Sequence, residues 1–135
     1  MNANEKTDKF DINEKISTLW IVVMFCMAFA DIVGFMTPGA LEEIIDQSAA
    51  PFPITPEIML VFSVLIAIPI IMIYLSRVLK YKANRLANIL AAVITILFVA
   101  GLGSTDLSYI YFATIEIVCM LIIIWSAWKW PNPEA

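Results

Sequence analysis

The stretch "VLIAIPIIMIYL", residues 64–75, decides the fold. Rich in β-branched residues, it reads as a strand if its surroundings are water and as a spanning helix if they are lipid. Its apolar run is long, from about Ile58 to Leu75, and it lacks polar alternation, which favours the helix. Three further runs have the same character, at about 16–36, 86–102 and 107–128. Each approaches the roughly 20 apolar residues that cross a bilayer. Hydrophobic residues make up 61% of the 135-residue chain and charged residues 15%, against roughly 45–50% apolar in soluble domains. A soluble core of this size cannot hide so much apolar side chain, so the solvent is lipid. The pattern predicts an all-α, four-helix transmembrane bundle. Residues 1–15 would form a polar N-terminal segment, 16–130 the membrane domain and 131–135 a short tail.

Charge placement predicts orientation. The eight basic residues fall before span one (Lys6, Lys9, Lys15), between spans two and three (Arg77, Lys80, Lys82, Arg85) and after span four (Lys129). By the positive-inside rule both termini and the middle loop are cytoplasmic. Trp20, Trp125, Trp128 and Trp130 lie near the same ends and read as interfacial anchors. Arg77, Lys80, Lys82 and Arg85 are first an orientation signal and second a patch for anionic lipid headgroups. A rival reading, a signal peptide cleaved near "MAFAD" (27–31), is weaker, because the apolar run continues to full spanning length.

Span one is expected to open at "DINEK", where Asp11 and Glu14 have the spacing of a capping box. Between spans one and two, Thr37 suits a cap and Pro38 a first helical turn. Leu41, Ile44 and Ile45 then share one face, which predicts a short external amphipathic helix, either a connector on lipid or a lid. "AAPFPITPE" follows in extended form, because three prolines cannot continue a helix. Pro69 is expected to kink span two near Leu65 and Ile66.

The chemistry sits in the acids inside the membrane. Counting about 1.5 Å per residue, Glu116 lies roughly 20 Å from Lys129 and Asp31 about 24 Å from Lys15. Both anchors are at the same end, so the two carboxylates fall within a turn of each other in the outer half, with Glu57 at the outer mouth. No basic residue is available there as counter-ion. Glu116 therefore needs a proton, a hydrogen bond or a bound cation. In contact, the two acids would titrate as one coupled site. Helical stripes offer Tyr109, Phe112, Ala113, Cys119, Met120 and Ile123 beside Glu116, and Trp20, Met24, Met27, Ala28, Gly34 and Phe35 beside Asp31. Span three offers Asn84, Asn88, Ala91, Ala92 and Thr95, and span two Ser63, Ala67 and Tyr74. Two readings of Glu116 stay open: a register-fixing acid bonded to Thr95 or a backbone carbonyl, and a proton- or cation-binding site with Asp31, Glu57, Asn88, Thr95 and Tyr109. Asp31 also reads as a solvated helix-end acid. Cys26 and Cys119 fall at similar depth, as a redox pair or as buried small side chains.

Other functions fit less well. Net charge −4 without a basic stripe argues against nucleic acid. Histidine is absent and the two cysteines lie far apart, so neither a metal site nor a cofactor is expected. A membrane enzyme acting on an isoprenoid or quinone lacks a convincing nucleophile.

At "STLWIVVM…FADI", "IPIIMIYLSRVLKYKANRLANI" and "YFATIEIVCMLIIIWSAWKW" the chain resembles a family of small bacterial four-span membrane proteins with no assigned function. In size and hydropathy it is also loosely similar to DoxX-like proteins. The resemblance implies a bacterial inner-membrane location and four helices, and no chemistry. Two functions remain. One is proton- or cation-linked binding or transport of a small apolar or cationic ligand, in a homodimer because four short helices enclose little cavity. The other is a non-catalytic subunit or scaffold that holds partner proteins or lipids.

Overall fold

The computed structural model describes the backbone of residues 3–132 and the side chains of residues 12–132. Among these are five helices and no strand: α1 Ala3–Phe35, α2 Ala40–Ile45, α3 Pro56–Val78, α4 Tyr81–Leu102 and α5 Leu107–Trp128. Residues 133–135 of the expected tail lie outside the described part.

The β-branched stretch is helical as read, inside α3. A bilayer leaves no water for backbone groups, so only internally bonded helices satisfy them there. Helices α1, α3, α4 and α5 each contain a span of 22 to 24 residues whose most apolar 18-residue stretch has a mean hydropathy from 2.1 to 2.9. Their outward faces carry exposed Phe25, Leu60, Leu97 and Leu121, side chains at home against lipid tails. This is a multi-pass membrane protein.

The four long helices form a ring. Helix α1 packs on α5 and α3, and α4 packs on the same two, leaving α1 and α4 on one diagonal. The buried core consists of Ile16, Trp20, Val23, Met72, Ala92, Val99, Met120 and Ile123 with their neighbours. Alanines at 91 and 92 let α4 approach closely.

Four local expectations are corrected. Helix α1 starts at Ala3, so the polar segment continues the first span instead of preceding a cap at Asp11. Helix α2 is capped by Gly39 at φ 88, a left-handed backbone that glycine adopts freely. Thr37 instead donates weakly back to the Val33 carbonyl at 3.4 Å. The basic stretch 76–85 is mostly helix, with only Leu79 and Lys80 between α3 and α4. Helix α3 starts at Pro56, ahead of the expected Ile58, so the end of the stretch expected to be extended is helical: Pro56 takes the first turn, where a proline lacks no needed amide, and the Thr55 hydroxyl accepts from the Ile58 amide at 3.4 Å. Pro69 is buried within α3.

The two ends of the bundle differ in kind. One end gathers the described basic residues and is tied by a buried polar network. Trp20 reaches across the diagonal and donates its indole N–H to Asn88 Oδ1 at 2.8 Å. Ser76 donates to the same oxygen at 3.0 Å. Asn88 Nδ2 donates to Asn84 Oδ1 at 2.6 Å, and Asn84 Nδ2 to the Ser76 carbonyl at 2.7 Å. That carbonyl is one of the last four of α3, which no longer find an amide in their own helix. Ser17 donates to the Ile73 carbonyl at 2.8 Å and accepts from Arg77 Nε at 3.0 Å. Trp20 is fully buried and is therefore a core strut, not the expected interfacial anchor. Trp125 and Trp128 are exposed and lie under Lys129 and Arg85 at 4.2 and 5.7 Å, as interfacial aromatics do. Trp130 packs edge-on against Tyr81, whose hydroxyl donates to the Trp130 carbonyl at 2.7 Å.

Candidate functional site: an acid-lined cavity at the other end

The opposite end opens into two adjoining cavities. The outer one, a vestibule of about 610 Å³, lies between the ends of α1, α2, α4 and α5 and the loops beside them. Asp31, Glu43 and Asp106 line it. The inner one, of about 430 Å³, is walled by Met24 and Met27 of α1, Met59 and Phe62 of α3, and Phe98 of α4. Asp31 and Tyr109 line both cavities and mark their junction, whereas Glu116 lines the inner one alone. Among the described residues no lysine or arginine lines either.

Glu116 is 3% exposed. Its inward position follows from helical spacing, since Cys119, Met120 and Ile123 at i+3, i+4 and i+7 share its buried face. Among the described residues no hydrogen-bond partner reaches its carboxyl. Thr95, one of the expected partners, donates to its own helix at Ala91 at 2.8 Å. Asp31 is exposed at the junction and lines the inner cavity together with Glu116.

Tyr109 is fixed by the end of α4. The Val99 carbonyl lies in the last turn, without an intrahelical partner, and the Tyr109 hydroxyl donates to it at 2.9 Å. The ring lies where a Cβ on Gly103 would stand, so glycine is required there by close approach. This pins an aromatic side chain between the vestibule and the inner cavity.

A family model described as "Family of unknown function (DUF6326)" matches residues 5–135. The chain belongs to DUF6326. No curated protein and no solved structure matches it.

The remaining expected site residues of this DUF6326 chain divide between the two ends. Asn88 belongs to the buried network at the basic end and not to the acid pair. Glu57 is exposed in the first turn of α3 and lines neither cavity. In α3, Ser63 and Tyr74 are exposed, and the buried positions are Pro69, Met72 and Ser76. Ser63 donates to its own Met59 carbonyl at 2.8 Å and needs no partner across the bundle. Cys26 and Cys119 are both buried free thiols close to Glu116. Arg77 and Lys80 are exposed, while Lys82 and Arg85 line a surface cavity of about 360 Å³ with Tyr81 and Leu86.

The Phe62 and Phe98 rings, 5.9 Å apart, were not among the expected site residues. Their depth is legible by counting from Arg77 and Arg85, but α3 is apolar all round and its sequence does not say which side faces inward.

Proposed function

We propose that this protein binds a proton or a monovalent cation at Asp31 and Glu116 and moves a small ligand across the membrane in exchange. The observation that carries this reading is the buried, unpartnered Glu116 carboxyl facing a cavity that Asp31 shares. An acid inside a membrane is expensive, and chains that keep one generally use it. An inner cavity of about 430 Å³ falls in the range of small-molecule sites, about 300–1,000 Å³. It lies within one chain, so the reading does not require a homodimer.

The basic end supports a cytoplasmic face in a bacterial inner membrane, with both termini inside and the acidic vestibule outside. A reporter fused to the C-terminus is then expected to behave as cytoplasmic, and one inserted near Ser48 as external. The opposite result would invert the topology.

Transport is tested in proteoliposomes carrying an internal pH indicator. With a monovalent organic cation supplied on the opposite side as counter-substrate, wild-type protein is expected to dissipate an imposed proton gradient, and Glu116→Gln and Asp31→Asn to reduce that flux. Equal flux in all three would remove the acid pair from the function. A second reading, a scaffold for anionic lipid, draws on the cavity beside Lys82 and Arg85. It leaves Glu116 unexplained and ranks below.

A further inference from the structure

We propose that the inner cavity takes a monovalent lipophilic organic cation, held by the Glu116 carboxylate, whose binding displaces the Glu116 proton. This inference rests on the proton- or cation-linked reading above and names the ligand class for that site.

Three observations select this class. The first is charge. Among the described residues Glu116 is buried without a hydrogen-bond partner and no basic side chain lines the cavities, while Asp31, Glu43 and Asp106 guard the approach. A concave mouth of one sign concentrates ions of the other sign at its entrance. The second is the wall. The cavity that Glu116 lines is also walled by Met27, Met59, Phe62 and Phe98, whose polarisable sulfurs and aromatic faces attract an organic cation while solvating its apolar bulk. The third is the donor set. A hard metal ion needs about six or more oxygens around it, and the inner cavity offers two carboxylates and a tyrosine hydroxyl already committed to Val99. Among the described residues no cluster of three metal-ligating side chains exists. A sodium or calcium ion would keep little of its shell there, whereas a greasy cation has little shell to lose.

Binding is an exchange. The Glu116 O–H bond breaks, the proton leaves through the vestibule past Asp31, and the carboxylate retains its electron pair facing the cation. The titratable groups facing Glu116 are Asp31 and Cys26 from α1 and Tyr109 and Cys119 from α5. The cavity-lining residues of α3 and α4 include no titratable side chain.

The test is equilibrium binding of tetraphenylphosphonium to the full chain in nanodiscs, across a pH series, with empty nanodiscs as background. The expected result is saturable binding that strengthens about tenfold per pH unit while Glu116 is protonated, with proton release into weak buffer. Glu116→Gln is expected to weaken binding about 10- to 100-fold and to remove the pH dependence. Glu116→Asp, which retains the charge, should keep the pH dependence at lower affinity and so separates loss of charge from loss of fold. Neutral triphenylphosphine oxide should not release protons, and excess sodium should not displace the probe. Binding that is pH-independent and unchanged in Glu116→Gln would overturn the proposal, as would displacement by sodium. If the Glu116 carboxyl titrates and responds to Asp31→Asn while the probe releases no proton, this inference fails alone. If the carboxyl does not titrate either, the underlying reading fails with it.

Discussion

A Glu116→Gln protein is expected to fold as well as wild type while its proton-linked flux falls to the level of protein-free vesicles. Glutamine keeps the shape of the side chain and removes the ionisable group. No described hydrogen bond or ion pair is broken, since none reaches this carboxyl. An amide replaces a protonated carboxyl of similar size and polarity, so the exchange leaves the cost of burying the group nearly unchanged. Stability against thermal unfolding in detergent should therefore be nearly equal. Most buried substitutions in a packed bundle lower stability, so loss of function with retained stability separates a functional acid from a structural one. A marked fall in melting temperature would instead make Glu116 a packing residue.

The largest stability loss is expected at the other end. Asn88→Leu keeps the volume and removes the acceptor shared by Trp20 and Ser76 and the donor to Asn84. Ser76 retains its bond to the Met72 carbonyl at 2.6 Å, so the chief casualty is the indole N–H of Trp20, which is fully buried. A buried donor left unpaired costs about 1–3 kcal/mol, and interhelical bonds in membranes average about 0.6 kcal/mol each. The sum is about 2–4 kcal/mol. Trp20→Phe removes the donor, so the double variant should be less damaged than the two single losses predict. The coupling is expected at about 0.5–1.7 kcal/mol, read from unfolding in mixed detergent. Strict additivity would mean that the Trp20–Asn88 bond contributes nothing across the diagonal.

Much of this architecture is legible without coordinates, and the gaps have physical causes. Helix α4 alternates polar and small residues with large apolar ones, so its stripe of Asn84, Asn88, Ala91, Ala92 and Thr95 is buried as read. Helix α5 carries Glu116 as a marker of its inner face, and Cys119, Met120 and Ile123 follow. Helix α3 has the most apolar 18-residue stretch, of mean hydropathy 2.9. With every face apolar, the polar residues Ser63 and Tyr74 were poor guides to the core. A serine that bonds back to its own helix carries no information about direction.

Asn88 was grouped with Glu116 because a stripe gives azimuth and not depth. The depth count used for the two acids also applies here. Asn88 lies three residues past Arg85 and Trp20 five past Lys15, about 4.5 and 7.5 Å from the same basic end. That count pairs Asn88 with Trp20 rather than with Glu116, which makes Trp20 a donor seeking an amide. The same arithmetic puts Asp31 slightly outside Glu116, and the structure has Asp31 at the cavity junction with Glu116 in the inner cavity. The aromatic wall and the pinned Tyr109 depend on helix rotation and on how α4 ends, which hydropathy does not encode.

The central claim, that Glu116 and Asp31 work as one protonatable site, is tested most directly by infrared difference spectroscopy of the reconstituted protein between about pH 5 and 9. The account predicts a carboxylic-acid band that disappears as pH rises, is absent in Glu116→Gln and moves to a different midpoint in Asp31→Asn. A spectrum without a titrating carboxyl in that range, or one identical in Glu116→Gln, would contradict it.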